Sequence, residues 1–235
     1  MRGLFVTGTG TGVGKTTVTS GLSAYCSIRK GLDVGVMKPF EPGLSLRGKD
    51  SLPWDSILLK EASGSQDDLE LINPYSFDAA LAPDSAAEIE HVQIDFEHLD
   101  RIYGRLARAH DVLFIEGAGG VLTPIGRNVF TSDLIKRWRL PVIIVARLGL
   151  GTVNHTLLTW RFLKAEGIPI VGVILNNREG GKPDASTRTN PATLSRYLDV
   201  PLLGIFPHCE RAGVVDREAL ADLVERSIDM KPLLG

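Results

Sequence analysis

Five stretches of this chain carry side chains suited to chemistry on phosphates, and each follows an apolar run. Residues 8–17 read Gly-Thr-Gly-Thr-Gly-Val-Gly-Lys-Thr-Thr directly after Leu4-Phe5-Val6-Thr7. Glycines let a backbone turn tightly with several N–H groups facing inward, and a helix starting there adds the positive end of its dipole, so the segment is a cradle for an anion. Lys15 supplies a mobile cation and Thr16 a hydroxyl for Mg²⁺. Lys38-Pro39 stands at the end of the apolar residues 33–37, where open α/β sheets place ligands; the lysine reads as a phosphate or substrate contact, or as a solvated strand end. Glu116 closes residues 111–115 and is followed by Gly117-Ala118-Gly119-Gly120. Those glycines admit a ligand closely, and the acid can bind Mg²⁺ directly or through water. Asn176-Asn177 ends residues 168–175, and Pro207-His208-Cys209-Glu210 follows residues 202–206. Asp55, near the start of a helical stretch, reads equally as a capping residue and as a carboxylate delivered beside Lys38 to hold a metal.

Alternating helices and strands must position these groups. Residues 16–29 carry Val18, Leu22, Tyr25 and Cys26 at helical spacing, with Gly31 placed to end the helix. Residues 33–37 read as a buried strand beside the one that precedes the glycine loop. Residues 42–53 form a loop over the site, 55–62 a helix, 73–87 an irregular segment with two prolines, and 96–109 a helix. Thr131 or Ser132 caps a short helix, 142–146 is a strand, and Thr152 caps a helix ended by Gly167. His155, alone in that helix's first turn, reads as structural. Residues 178–189 are expected as a mobile loop, Asn190-Pro191 as the start of a helix, and 216–228 as a closing amphipathic helix. The pattern implies an α/β fold of the P-loop NTPase type, a mostly parallel sheet with helices on both faces and the five polar strand ends on one edge.

A chain of 235 residues with 43% hydrophobic content supports one sizeable core, so a single domain over 1–235 is expected. The formal charge of −2, with the basic residues scattered, leaves no footprint for nucleic acid. Cys26 and Cys209 lie far apart without metal-ligand spacing and fit free thiols in a reducing compartment. No apolar run reaches the length of a membrane span, and the chain enters a strand at once, so a cytoplasmic location is expected.

The glycine loop, Lys38-Pro39, Asp55, Glu116 to Gly120 with Thr123-Pro124, residues 151–155 and Asn176 resemble the dethiobiotin synthetase family in order and spacing, over essentially the whole chain. That family carries the same loop, one residue longer than the standard P-loop pattern, whose first glycine would stand at Thr9 instead of Gly8. The resemblance implies ATP-dependent closure of a ureido ring on 7,8-diaminononanoate, giving dethiobiotin, ADP and phosphate with Mg²⁺ as cofactor. Lys15 would hold the β- and γ-phosphates, and Lys38 would neutralise a carbamate and the transferring phosphoryl group, with Thr11 beside them. Thr16, Asp55 and Glu116 would hold Mg²⁺. Gly12, Val13, Gly14, Thr17, Gly117, Ala118 and Gly119 would line the nucleotide, and Asn176, Asn177, Pro207, His208 and Cys209 would surround its base. The implied substrate set is Lys38, Pro42, Gly151, Thr152, Val153 and Asn154, the last four serving the cleft of a partner in a homodimer. Pro42 stands where the family usually has Ser or Thr and offers neither hydroxyl nor N–H. Gly10 and Asp84 also depart from the family's usual Asp and His.

The alternative of another class is a dimeric ATPase switch of the partitioning and division-site type, which shares the fold. Such switches carry a signature lysine early in the loop, where this chain has Gly10, and often a basic membrane-seeking helix where residues 216–229 are mainly acidic. A GTPase would need Asn-Lys-x-Asp, which Asn176-Asn177-Arg178-Glu179 is not.

Overall fold

The computed structural model describes residues 3–44, 52–180, 184–209 and 216–234. Parts of the expected loops over 42–53 and 178–189, together with Glu210, lie outside the described residues. In chain order, β1 (Gly3–Gly8) leads through the glycine loop into α1 (Lys15–Lys30), and Gly31, at φ 64°, ends that helix with its N–H on the Cys26 carbonyl. Next come β2 (Val34–Met37), β3 (Phe40–Pro42), α2 (Trp54–Ser63), α3 (Leu69–Ile72), β4 (Tyr75–Phe77), α4 (Pro83–Ile89), α5 (Phe96–Ala109) and β5 (Val112–Gly120). The remainder is β6 (Pro124–Gly126), β7 (Val129–Phe130), α6 (Thr131–Trp138), β8 (Val142–Arg147), α7 (Thr152–Ala165), β9 (Ile170–Asn176), α8 (Ala185–Tyr197), β10 (Leu202–Phe206), α9 (Arg217–Ser227) and α10 (Lys231–Leu234).

The central sheet has the order β10-β9-β8-β1-β5-β2, with every neighbouring pair parallel. Its interior strands are near-continuous Val, Ile and Leu, as a sheet covered on both faces demands. Period two divides β1 between two cores: Phe5 joins Ile115, Ile144 and Leu175 on one face, and Leu4 and Val6 join Phe114 and Ile143 on the other, against α1 and α9. All six carboxyl ends consequently open on one edge. Among the described residues no helix is long and apolar enough to cross a membrane.

Several local expectations are corrected. The strand at 33–37 does not neighbour β1, because β5 lies between them. A four-residue strand suits an edge, and the longer apolar run of β5 takes the interior position. Residues 73–87 are not irregular: β4 pairs with β3, and Pro83 opens α4 at the first helical position, where a missing N–H costs nothing. Helix α8 starts at Ala185, capped by Asp184, which accepts from the Thr187 N–H at 2.7 Å. Asn190 is therefore no cap, and its amide donates to the Gly149 carbonyl at 2.6 Å. Thr152 is the first helical residue of α7, the cap position being Gly151 at φ 89°. Thr131 and Ser132 likewise lie inside α6, whose start is fixed by Asp133 accepting from the Phe130 N–H at 2.8 Å. The run from Glu116 to Gly120 continues β5 as strand.

Candidate active site

The edge formed by the strand ends holds a cleft of roughly 1140 Å³, above the usual size for one small ligand and sufficient for a nucleotide with a second substrate. Its floor is the glycine loop. Gly14 has φ 89°, and a Cβ there would stand 2.0 Å from the Asn176 side-chain nitrogen, so the loop needs glycine for conformation and for closeness. The Asn176 amide donates to the Val13 carbonyl at 3.0 Å, bracing the loop from β9. Lys15 Nζ donates to the carbonyls of Gly119, at 2.8 Å, and Gly10, at 3.3 Å. Burial, and then the charge of Lys38, pull its pKa down to about 8 against the attraction of Glu116 and Asp55.

Above the loop stands a buried charge cluster. Glu116, fully buried at the end of the apolar part of β5, accepts from Thr16 Oγ1 at 2.9 Å and from Lys38 Nζ, both through Oε1. Lys38 Nζ also lies 3.6 Å from Asp55 Oδ2. Burial pushes the Lys38 pKa down, but Glu116, Asp55 and Glu41 together outweigh it and hold the ammonium well above its ordinary range. The backbone of Lys38 is fixed too: its N–H donates to the Ile72 carbonyl and its carbonyl accepts from Asn73, both at 2.7 Å. Of its two readings, the solvated strand end is thereby excluded.

Among the described residues Glu116 Oε2, which is buried, has no hydrogen-bond partner. A carboxylate oxygen in that state is costly unless something positive meets it, and the nearby oxygens of Thr16 and Asp55 make the set hard and oxygen-only. These residues fit Mg²⁺, which takes few protein oxygens and keeps its other positions for phosphate and water. Among the described residues no group of three or more His, Cys, Asp or Glu could hold a metal by itself. Asp55 does not cap α2. The cap position is Pro53, and Glu41 accepts from the N–H groups of Asp55, at 2.7 Å, and Ser56, at 2.9 Å.

Thr11, Gly12, Thr17, Pro42, Gly117, Ala118, Asn177, His208 and Cys209 line the same cleft. Gly151, Thr152, Val153 and Asn154 do not; Thr152 is buried with its hydroxyl 3.4 Å from that of Thr156. Val13 and Pro207 are absent from the lining as well. The sequence reading missed Glu41, the apolar wall of Leu122, Leu158 and Phe162, and Arg178, whose guanidinium donates to the Gly12 carbonyl. Helical spacing would have placed Leu158 and Phe162 on one side of α7. Nothing in spacing points to Glu41.

Comparison with known proteins agrees with this geometry. A family model described as an AAA domain matches residues 2–213. The ATP-dependent dethiobiotin synthetase BioD of Bacillus subtilis subsp. natto is 40% identical over 235 residues, spanning 100% of this chain and 98% of its own length. Proteins of the same name from Thermodesulfovibrio yellowstonii and Anaeromyxobacter dehalogenans strain 2CP-C are 38% identical, over 99% of this chain and 98% of the relative, and 43% identical, over 88% and 90%. Among solved structures, the MinC:MinD cell division protein complex of Aquifex aeolicus aligns with a TM-score of 0.54 over 96% of this chain and 95% of its own. At 15% identity that likeness concerns the fold alone. Full-length identity near 40% to proteins of one name, with the loop, lysine and buried glutamate arranged as described, places the chain in the dethiobiotin synthetase family.

Proposed function

We propose that the chain, as one P-loop domain, closes the ureido ring of dethiobiotin from 7,8-diaminononanoate, CO₂ and ATP. The observation that carries this is the pair of buried lysines facing one buried glutamate, a site built to bring anions together. One amine of the diamine combines with CO₂ and loses a proton to give a carbamate. A carbamate oxygen attacks the γ-phosphorus, the bond to the β-phosphate oxygen breaks, and ADP leaves. The second amine attacks the carbamoyl carbon of the mixed anhydride and loses a proton, phosphate leaves, and the ring closes.

Both reactants of the middle step are anionic, so positive charge and positioning matter more than a strong base. Lys15 holds the β- and γ-phosphates together with the amides of Gly12 to Thr17. Lys38 stands where the carbamate meets the γ-phosphate, with Thr11 alongside. Thr16, Asp55 and Glu116 hold Mg²⁺, which when bound neutralises phosphate charge. The Asn176 amide nitrogen is committed to the loop, leaving its carbonyl oxygen to accept from the adenine amino group, beside Asn177 and the segment from Pro207 to Cys209. Pro42 and the apolar wall of α7 line the cleft, and this reading has them border the aliphatic part of the substrate. Gly151, Thr152, Val153 and Asn154, outside the lining of their own cleft, would serve the carboxylate tail in the cleft of a partner copy in a cytoplasmic homodimer, where the start of α7 suits an anion.

The test is ADP release by the purified chain with ATP, Mg²⁺ and bicarbonate, with and without the diamine. Diamine-dependent ADP matched by dethiobiotin supports the reading. Steady ADP release indifferent to the diamine overturns it and favours the switch class.

A further inference from the structure

Glu41 is a carboxylate in an unusual place. It lies between Phe40 and Pro42 on the three-residue strand β3, is 2% exposed, and belongs to none of the motifs that mark the phosphate machinery. Strand alternation sends Phe40 into the core, where it stacks on Tyr75 at 5.7 Å, and turns Glu41 to the opposite side, toward α2. There it meets a helix that lacks a cap of its own. Pro53, at the cap position, has no side-chain acceptor, and the second and third N–H groups of any helix need one. Glu41 provides both acceptors: Oε1 takes the Asp55 N–H at 2.7 Å, and Oε2 takes the Ser56 N–H at 2.9 Å and the Ser56 hydroxyl at 2.5 Å. The cap comes from 14 and 15 residues away, so it ties α2 to β3, the strand that begins two residues after Lys38.

That tie has a consequence for the site. Asp55 is the second residue of α2, and its carboxylate is 3.6 Å from Lys38. Fixing the Asp55 backbone at one end and the Lys38 segment at the other sets the distance between them. A locally capped helix would be free to shift relative to β2; this one is held by a bidentate charge-assisted contact on the same residue that presents the acid.

We propose that Glu41 is a positioning residue for the metal site, acting through Asp55: it holds the start of α2 so that the Asp55 carboxylate meets Mg²⁺ and Lys38 in one geometry. This rests on the reading of Asp55 as a Mg²⁺ ligand given above. Partners that orient a ligand contribute about 10- to 100-fold to metal affinity, and Glu41 belongs in that range.

The experiment measures the Mg²⁺ midpoint for tight binding of β,γ-imido-ATP by calorimetry, which is independent of dethiobiotin formation. Glu41→Ala is expected to raise that midpoint at least about tenfold while nucleotide binding without Mg²⁺ stays as in the unaltered chain. Glu41→Gln, which keeps one acceptor oxygen, is expected between the two. In an Asp55→Ala background, Glu41→Ala is expected to add nothing, because its effect runs through the missing carboxylate. An unchanged midpoint in folded Glu41→Ala, or equal effects with and without Asp55, overturns the proposal; if the alanine variant does not fold, an unchanged midpoint in Glu41→Gln overturns it. Mg²⁺-independent binding by the unaltered chain overturns the metal reading and this proposal together. Absence of the diamine-dependent reaction in the unaltered chain, with the Mg²⁺ pattern intact, overturns the proposed reaction and leaves Glu41 in its role.

Discussion

Lys38 is an ammonium buried among acids, and its charge is kept because Glu116 and Asp55 outweigh the cost of burial. In the proposed reaction its contribution belongs to charge that develops during phosphoryl transfer. Lys38→Ala is therefore expected to lower kcat by about 10²–10³ while changing ATP affinity by less than about threefold. Single-turnover kinetics with a parallel nucleotide titration check this, and near-normal turnover contradicts the role. Glu116→Gln keeps the shape of the side chain but removes the charge that its partnerless oxygen would offer a metal. It is expected to raise the Mg²⁺ requirement about tenfold or more, and an unchanged metal titration contradicts the ligand assignment. At this scale the sequence was generous where spacing carries chemistry: Lys15, Thr16 and Glu116 were readable because glycines and an apolar strand frame them. Glu41 was not, since its partners, Asp55 and Ser56, lie across a segment whose path no local pattern specifies.

Elements with strong periodicity matched expectation, as in α5, where Leu99, Ile102 and Leu106 face the core. Elements whose signals compete did not. Pro83 reads as part of an irregular segment and Pro191 as the first residue of a helix, yet Pro83 opens α4 and Pro191 sits inside α8, whose start is set by Asp184. The glycine loop is the element on which nucleotide binding depends most closely. Gly14→Ala places a Cβ at φ 89° and 2.0 Å from the Asn176 amide, costing about 1–2 kcal/mol in conformation before the clash is relieved. ATP affinity is expected to fall at least about tenfold with the thermal transition little changed, as calorimetry and circular dichroism together will read; unaltered affinity contradicts the loop geometry. Within α1, burial pushes the Cys26 thiol up to about 12. Above pH 9 the unfolded chain loses that proton while the folded chain keeps it, so stability declines as pH rises from about 9 to about 12, by up to about 1.4 kcal/mol per unit. Denaturation series at pH 8.5 and 10.5 are expected to show this slope in the unaltered chain and a shallower one in Cys26→Ala. Equal slopes contradict it.

For the molecule as a whole, the alternation of helix and strand was enough to predict a parallel sheet with its polar ends on one edge, because buried strands and right-handed crossovers leave few windings. The order of the strands was less accessible: β2 and β1 are separated by β5, and that depends on which strand buries more, a property of the finished sheet. The gathering of two lysines, two acids and a glycine loop at that edge serves one claim, that a carbamate and ATP react there and a second amine closes the ring. The most direct measurement follows oxygen. With ¹⁸O-labelled bicarbonate, the diamine and ATP at times short against exchange with water, each dethiobiotin formed is expected to release one phosphate carrying one labelled oxygen from the carbamate. Dethiobiotin formed with unlabelled phosphate, or labelled phosphate without dethiobiotin, would contradict the account.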